Sequence, residues 1–259
     1  MRSIGKGAYG EVWLARDVIG TYHAVKIVYR KTFSENGPFD REFRGIQKFT
    51  PISRSHPGFV NILHVGKNPA AGCFYYVMEL ADDEVSGQKI DPFTYSAKNL
   101  AKDLSRRGRL TVAECLKLGL SLASALDFLH QQQLIHRDIK PSNIIFVKGD
   151  PKFADIGLVT DLGDPGADKT YVGTEGYIPP EGPGTVAADV YSLGKVLYEA
   201  SLGRDGRHSS ERPTTLAGTD QDVLLRFKAI ILKACEADPA KRYKSAAEMQ
   251  SDLAGLHRD

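Results

Sequence analysis

The spacing of apolar residues divides the chain into an early part typical of strands and a later part typical of helices. Short β-prone segments predict strands over residues 10–15, 21–28, 60–65 and 73–80. Between the second and third of these strands, Phe39, Phe43 and Ile46 recur at helical spacing. Pro38 suits the first turn of a helix, so a helix is predicted over residues 38–49.

After a polar, turn-rich connector at residues 81–98, the hydrophobic spacing becomes helical. From about residue 112 onward the apolar side chains form one stripe at helical spacing, which consists of Cys115, Leu118, Leu122, Leu126 and Leu129. Further strands are predicted at 144–147 and 151–154, and further helices at 187–202, 220–235 and 244–257. A strand-rich part followed by a larger helical part predicts an α+β fold, with the boundary near residue 81.

Composition and charge exclude several classes of protein. The chain has 259 residues, of which 42% are hydrophobic and 25% are charged, as in an ordinary soluble globular protein. Lys and Arg number 34 and Asp and Glu number 32, so the formal net charge is only +2. This balance predicts binding neither to nucleic acid nor to an anionic membrane surface. The longest apolar run, Cys73–Met78, is far shorter than the roughly 20 residues that span a bilayer.

The cysteines and the N-terminal residues bear on the compartment. Cys73, Cys115 and Cys235 are widely spaced, and they predict neither a disulfide framework nor a zinc site. The first residues lack the apolar segment of a secretory signal. Together these features predict a protein of a reducing compartment, most simply the cytoplasm.

A glycine-rich segment, Gly5-Lys6-Gly7-Ala8-Tyr9-Gly10-Glu11-Val12, is the first candidate for phosphate binding. Glycines let backbone N–H groups approach phosphates without obstruction by side chains. A strand follows the segment, where a dinucleotide-binding fingerprint would have a helix, and no Gly-Lys-Ser/Thr closes it as in a Walker A loop. By itself the segment is a weak signal, because glycine-rich turns are common.

Lys26 and Glu42 form the second candidate feature. Lys26 lies within a predicted strand, where a lysine is usually an edge residue that reaches solvent. Glu42 lies on the apolar face of the predicted helix, between Phe39 and Ile46, where a carboxylate needs a partner. Lys26 is the obvious partner. Glu42 would fix the position of Lys26, and Lys26 could then hold phosphate oxygens.

The strongest signal is His136-Arg137-Asp138-Ile139-Lys140-Pro141-Ser142-Asn143, followed by Asp155-Ile156-Gly157. The side chains of Asp138, Asn143 and Asp155 supply oxygens on loops around two short predicted strands. Carboxylate and amide oxygens are the ligands that Mg²⁺ prefers when it also binds phosphates. A chance cluster of polar turns would not also predict the glycine-rich segment and the Lys26–Glu42 pair upstream.

These motifs, in this order, resemble a eukaryotic-like (Hanks-type) Ser/Thr protein kinase catalytic domain, bacterial in style. The resemblance covers almost the whole chain. The pieces that carry it are Gly5–Val12, Ala24-Val25-Lys26, Glu42, His136–Asn143, Asp155–Gly157, Gly173-Thr174, Pro179-Pro180-Glu181, Asp189 and Arg242. Lys140, two residues after Asp138, resembles the Ser/Thr branch of the family.

The resemblance implies one kinase domain over residues 1–259 with a bilobal fold. A small antiparallel-sheet N-lobe with one helix would occupy about 1–80, a hinge about 79–98 and a mainly helical C-lobe about 99–259. ATP would bind Ile4, Gly5, Lys6, Gly7, Ala8, Tyr9, Gly10, Glu11, Val12, Ala24, Lys26, Glu42, Met78, Glu79 and Ala81. Among these, the glycines would cover the phosphates, and the backbones of Glu79 and Ala81 would read the adenine edge.

The resemblance also implies catalytic and metal-binding roles. Asp138 would accept the proton of the attacking hydroxyl, and Lys140 would steady the transferring phosphate. Asn143 and Asp155 would bind Mg²⁺, with Mn²⁺ as an alternative. The expected partners are ATP and a protein substrate that presents Ser or Thr.

Three further charged residues would have structural roles in such a domain. Glu181 and Arg242 would form an ion pair that fastens the substrate loop, and Asp189 would bind the backbone of the His136–Asp138 turn.

Regulation is expected in residues 158–178. Thr174 would contact Asp138 and Lys140, whereas Thr170 would carry an activating phosphate that pairs with Arg137. Autophosphorylation of Thr170 would then raise activity.

Some positions depart from the family pattern and keep alternatives open. Ile156 replaces the usual Phe, Pro179 replaces the usual Ala, and the strand expected before Gly5 would be clipped, since only four residues precede Gly5. The alternative reading is a pseudokinase-like scaffold that binds nucleotide without transferring phosphate. A small-molecule phosphotransferase of related fold is a third reading, but such enzymes generally lack a Lys at the position of Lys140.

Overall fold

A computed structural model describes residues 2–7, 10–34, 36–155, 160–162, 174, 176–203 and 219–257. The chain divides into two units, which are described separately. The first unit consists of Met1–Asn99 and Ile144–Val159, and the second consists of Leu100–Asn143 and Thr160–Asp259.

The first unit is built on an antiparallel five-stranded sheet. Its strands are β1 (Arg2–Lys6), β2 (Gly10–Arg16), β3 (Tyr22–Tyr29), β4 (Ile62–Asn68) and β5 (Cys73–Met78). They lie in the order β1-β2-β3-β5-β4, so β1 and β4 are the edges. Each edge strand has one irregularity in its register, between Ser3 and Gly5 in β1 and between Ile62 and His64 in β4.

Helix α1 (Asn36–Ser53) packs on the sheet through aromatic side chains. The ring centroids of Phe39 and Phe43 both lie 5.2 Å from that of Phe74 on β5. Ile46 and Phe49, one and two turns further along, are fully buried. The core of this unit therefore lies between α1 and the face of the sheet that carries Phe74.

A second hairpin belongs to the first unit. Strands β7 (Ile144–Val147) and β8 (Asp150–Phe153) pair with each other. Phe153 also exchanges backbone hydrogen bonds with the segment before β4, because its N–H donates to the Gly58 carbonyl and its carbonyl accepts from the Val60 N–H. These bonds join the hairpin to the segment that leads into the main sheet.

The second unit is mainly helical. Its helices are α2 (Leu100–Arg107), α3 (Val112–Gln131), α4 (Val186–Leu202), α5 (Thr219–Ala234) and α6 (Ala246–His257). Strands β6 (Leu134–Ile135) and β9 (Thr160–Asp161) form a short antiparallel pair. The predicted leucine stripe of α3 is buried, and Gly119 lets Leu197 of α4 and Leu253 of α6 pack closely against this helix.

Most predicted elements are present, with two differences. Helix α1 continues to Ser53 past Pro51, because a proline in the last turn lacks an N–H but its carbonyl still accepts a bond, here from Arg54. Helix α2 was not predicted, since only Leu100 and Leu104 mark its buried side. Strand β9 lies within residues 158–178, most of which are outside the described residues.

Among the residues that the structure describes, none of the helices combines the length and the apolar character needed to cross a membrane.

The close approach of α4 to the end of α5 yields a prediction about stability. A Cβ atom at Gly194 would lie 2.8 Å from Ala234 Cβ and 2.9 Å from Cys235 Sγ, which is too close. We expect Gly194→Ala to lower the free energy of unfolding by about 1–3 kcal/mol, because helices α4 and α5 must separate to admit the methyl group. Urea denaturation measures this change.

Gly255 provides the matched control, since a Cβ at this helical position would meet nothing within 4 Å. Gly255→Ala should raise the stability by at most about 1 kcal/mol through helix propensity. Equal effects of the two substitutions would contradict the predicted clash.

Candidate active site

The register of the sheet places several predicted nucleotide residues on one face. Val12 lies opposite Lys26, and Ala24 lies opposite Met78. Residues directly opposite one another share a face, as do residues two apart in one strand. Val12, Ala24, Lys26 and Met78 therefore lie on the same face, and it is the face that carries Phe74 and packs against α1.

Lys26 is buried and surrounded by acidic groups. Its Nζ lies 3.9 Å from Oε1 of Glu42 and forms a closer ion pair with Oδ1 of Asp155. Burial disfavours the ammonium form, but the neighbouring Tyr76, Asp155 and Glu42 outweigh this effect and raise the pKa of Lys26. The lysine is therefore a fixed positive charge, suited to bind phosphate oxygens.

Tyr76 is a neighbour of Lys26 that the sequence analysis missed. It lies opposite Lys26 in the β3–β5 pair, and Nζ of Lys26 is 6.0 Å from the centre of its ring. Burial is the largest of the influences that raise the pKa of Tyr76, so the phenol stays neutral. The register of two predicted strands could have identified this residue, but the sequence alone does not reveal their pairing.

Glu42 is less well satisfied than Lys26. Its Oε1 atom is buried and has no hydrogen-bond partner among the described residues. Burial raises the pKa of Glu42 to about 7, although the Lys26 ammonium opposes this shift. Burial and the Lys26 ammonium thus act on the pKa of this carboxyl in opposite directions.

In the glycine-rich segment, the close approach of strand β3 leaves no room for a side chain at Gly10. A Cβ atom at Gly10 would lie only 2.1 Å from the carbonyl oxygen of Ile27 on the neighbouring strand. The Gly7 N–H donates to the Gly10 carbonyl at 2.9 Å, which closes the turn. Ala8 and Tyr9, also predicted to bind ATP, lie outside the described residues.

Three other predicted residues of this segment are less clearly placed for nucleotide binding. Lys6 is exposed and lies opposite Glu11, while Ile4 lies at the irregularity of β1. Glu11 is on the face opposite to Val12, because neighbouring residues of a strand alternate. Its Oε2 accepts a hydrogen bond from the Trp13 indole at 3.3 Å. The structure therefore does not bring Glu11 to the face that carries Lys26.

The segment after β5 presents backbone groups suited to an adenine edge. Glu79 is held through its side chain, because its Oε1 accepts from Nζ of Lys152 at 2.6 Å and from the Asn61 N–H at 2.8 Å. Its own N–H donates to the Asn61 carbonyl. Within the described part of the chain, the Glu79 carbonyl and the Ala81 N–H make no hydrogen bond. Sequence reasoning missed Lys152 and Asn61.

In the second unit, a compact polar cluster surrounds Asp138. Its Oδ2 forms an ion pair with Nζ of Lys140 at 2.9 Å and accepts a hydrogen bond from Nδ2 of Asn143 at 2.8 Å. The Thr174 hydroxyl accepts from Lys140 at 2.8 Å and lies 3.3 Å from Oδ1 of Asp138. The predicted residues Asp138, Lys140, Asn143 and Thr174 are thus brought together.

The metal ligands expected from the resemblance are of suitable chemistry. The nitrogen of the Asn143 side chain donates to Asp138, and its oxygen accepts no hydrogen bond among the described residues. Asp155, in the other unit, has a carboxylate that is 47% exposed. Amide and carboxylate oxygens are ligands of hard cations such as Mg²⁺. The described residues contain no group of three His, Cys, Asp or Glu side chains that could hold a metal ion.

Asp189 organises the backbone before Asp138. Its carboxylate accepts from the N–H groups of His136 and Arg137 at 2.8 and 2.9 Å, and from Nε2 of His130 at 2.9 Å. Burial alone would raise the pKa of Asp189, but the hydrogen bond from His130 and the charge of His136 lower it. Arg137 has a φ of 69°, so these bonds support a backbone conformation that L-residues rarely adopt.

His130 was not identified from the sequence, because it ends an apolar helical stripe and resembles an ordinary core position. For its hydrogen-bond partner, Asp189, the sequence predicts only a contact with the backbone.

The expected Glu181–Arg242 ion pair is present and bidentate, with distances of 2.5 and 2.9 Å. The Arg242 side chain is fully buried and also donates to the carbonyl oxygens of Glu236, Ala237 and Ala187. Each of its nitrogens therefore has an acceptor, which is the condition for burying a guanidinium.

The predicted regulatory residues are only partly described. Thr174 belongs to the cluster around Asp138, and Arg137 is buried. Thr170 and Ile156 lie outside the described residues, so the phosphorylation of Thr170 stays a prediction.

The raised pKa of Glu42 predicts how stability depends on pH. In the folded protein this carboxyl keeps its proton up to about pH 7, whereas the unfolded chain loses it near 4.5. Between these values the unfolded state binds fewer protons, so the free energy of unfolding should fall as pH rises. In Glu42→Gln this contribution is absent. We expect the stability of the wild type relative to Glu42→Gln to drop by about 1–3 kcal/mol between pH 5 and pH 8.

Urea denaturation of both proteins at the two pH values measures the difference. Glu236→Gln is the control, because it makes the same chemical change at an exposed carboxylate. A difference between wild type and Glu42→Gln that does not change with pH would contradict the prediction.

Comparisons with known proteins agree with this geometry. A family model described as a protein kinase domain matches residues 1–253. The serine/threonine-protein kinase PrkC of Bacillus subtilis is 30% identical over 98% of this chain. The serine/threonine-protein kinases PknB of Mycolicibacterium smegmatis and of Mycobacterium tuberculosis are 31% and 30% identical over the same share.

The chain spans 39% of the length of PrkC and 42% of that of each PknB protein, so it corresponds to one part of those relatives. The α+β prediction is confirmed, and so is the resemblance to Hanks-type kinases of bacterial style. The chain belongs to the protein kinase family.

Proposed function

We propose that this chain is a Ser/Thr protein kinase that transfers the γ-phosphate of ATP to a Ser or Thr hydroxyl of a protein. The observation that carries the proposal is the cluster in which Lys140, Asn143 and Thr174 surround the Asp138 carboxylate. Phosphoryl transfer depends mainly on positioned charges and hydrogen bonds. The cluster supplies both around one carboxylate.

Asp138 is proposed to accept the proton of the attacking hydroxyl. Two donors contact its Oδ2, and these contacts fix the orientation of the carboxylate. Among the described residues, its other oxygen, Oδ1, has only the longer contact with Thr174. A fixed carboxylate oxygen within reach of a substrate hydroxyl is what general base catalysis requires.

Lys26 is proposed to bind the phosphates of ATP, with Glu42 as its ion-pair partner. The carbonyl of Glu79 and the N–H of Ala81 are proposed to bind the adenine edge, because one acceptor and one donor match the 6-amino group and N1 of adenine. Asn143 and Asp155 would hold Mg²⁺, with Mn²⁺ as an alternative, and the metal would neutralise phosphate charge.

The choice of Ser/Thr substrates is supported by Lys140, whose ammonium contacts Asp138, and by the names of the similar proteins. A role in signalling and a cytoplasmic location are proposed from the sequence alone.

The first test of this function replaces the proposed base. Asp138→Asn should lower the rate of phosphate transfer by at least about a hundredfold, since the amide cannot accept the proton. Binding of Mg·ATP should change less than about threefold, because Asp138 faces the hydroxyl in this proposal. Transfer of labelled phosphate to a generic protein substrate and calorimetric titration with Mg·ATP measure the two effects. A folded Asp138→Asn protein that keeps more than a tenth of the parent rate would reject this role.

Asp155 should behave in the opposite way. Asp155→Ala removes a proposed metal ligand, so it should weaken binding of Mg·ATP by about tenfold or more. Binding of ATP in the presence of a chelator should change much less, because no metal is then present. Asp222→Ala, which removes an exposed carboxylate on α5 of the second unit, serves as a control. An Asp155→Ala protein with unchanged dependence on Mg²⁺ would exclude Asp155 as a ligand.

A further inference from the structure

Within the connector at residues 81–98, the part from residue 83 onward folds back against the segment at residues 79–82. The Asp83 carboxylate accepts hydrogen bonds from the N–H groups of Val85, Ser86 and Ser96, which closes the connector on itself. The Asp82 carboxylate accepts from the N–H groups of the β7–β8 turn at residues 148 and 149. These carboxylates give the turn-rich segment a defined conformation.

The segment at residues 79–82 borders open space on one side. Its four residues line an open cavity of about 530 Å³, whose other walls include Leu63, Ile90 and Val147. Ala81 and Asp82 are themselves buried, so their polar backbone groups need hydrogen-bond partners within the protein.

Tyr95, from the far end of the connector, supplies one of these bonds. Its side chain is buried, and its hydroxyl donates to the carbonyl of Ala81 at 3.1 Å. The same peptide unit is held at its other edge, because the Asp82 N–H donates to the Phe146 carbonyl at 2.7 Å. The peptide plane that follows Ala81 is thus fixed from both sides, which limits rotation about the Ala81 backbone.

Arg2 joins the connector to the strand that leads into the glycine-rich segment. Its guanidinium donates to the carbonyl of Phe93 at 2.9 Å and to the carbonyl of Tyr95. Tyr95 is therefore held through its backbone while its side chain holds Ala81.

We propose that Tyr95 is a positioning residue for the adenine ring, acting through the Ala81 backbone. This inference rests on the proposed function, in which the Ala81 N–H and the Glu79 carbonyl bind adenine. By fixing the Ala81 carbonyl, the Tyr95 hydroxyl keeps the adjacent N–H in one orientation. The connector is then part of the nucleotide site although none of its side chains need touch the nucleotide.

The experiment removes only the hydroxyl, in Tyr95→Phe. The ring still fills its buried position, but the Ala81 carbonyl loses its donor, so the binding edge can rotate. We expect the dissociation constants of ATP and of adenosine to rise by the same factor, about fivefold, which corresponds to the loss of one neutral hydrogen bond. The value of kcat should stay within twofold, because the cluster around Asp138 is unchanged.

Adenosine separates this role from a general structural effect. It carries the adenine ring but no phosphates, so Lys26→Met should weaken ATP binding and leave adenosine binding unchanged. Tyr75→Phe, which removes a hydroxyl from a half-buried tyrosine of the same unit, is the control and should change neither constant. Calorimetric titration gives both constants, and thermal unfolding verifies that each variant is folded.

The results distinguish a failure of the proposed role of Tyr95 from a failure of the proposed function. If Tyr95→Phe binds adenosine as the wild type does, the inference is wrong even if ATP affinity falls. If the wild type binds neither ATP nor adenosine, the proposed function fails and this inference fails with it. Should Tyr95→Phe not fold, Arg2→Gln tests the same link through the Tyr95 carbonyl. It should weaken adenosine binding measurably, and unchanged binding would overturn the inference.

Discussion

Charged side chains that are buried away from water need partners, and three of them organise this chain. Lys26 lies between acidic groups, Asp189 accepts three hydrogen bonds, and Arg242 donates to a carboxylate and to several carbonyls. An isolated buried charge would cost several kcal/mol, so the surrounding backbone must adopt conformations that supply these partners. Strand β3, the turn before Asp138 and the segment after α5 are each positioned in this way.

The sequence predicted the parts of the structure that repeat or that follow known motifs. Periodic segments such as the leucine stripe of α3 identify their own buried face, because burial of that face stabilises the helix. Lys26 and Glu42 could be paired because a carboxylate among apolar residues implies a cation nearby. Such arguments need only local spacing and the chemistry of single residues.

The remaining features depend on contacts between segments far apart in the sequence. Tyr95 lies in a polar, turn-rich stretch without periodicity, and nothing in that stretch shows that its hydroxyl meets Ala81. His130 has the pattern of a core residue, although it binds Asp189. Tyr76 becomes a neighbour of Lys26 only through the register of two strands, which single sequences do not specify.

Three residues of the candidate site have features that cost free energy in the folded protein. Arg137 and Asp155 have positive φ values of 69° and 52°, a conformation that costs roughly 1–3 kcal/mol for residues other than glycine. Glu42 has a buried oxygen without a hydrogen bond. The favourable packing of the sheet and helices must offset the cost of these features in the folded protein.

The register irregularities of the two edge strands bear on how copies of this protein meet one another. A regular edge strand presents an unpaired row of N–H and C=O groups that can join to a strand of a second molecule. A displaced residue in β1 and another in β4 interrupt that row on both sides of the sheet. Arg2 and Lys6 add positive charge along the β1 edge. Both features oppose edge-to-edge pairing of the sheets of two molecules.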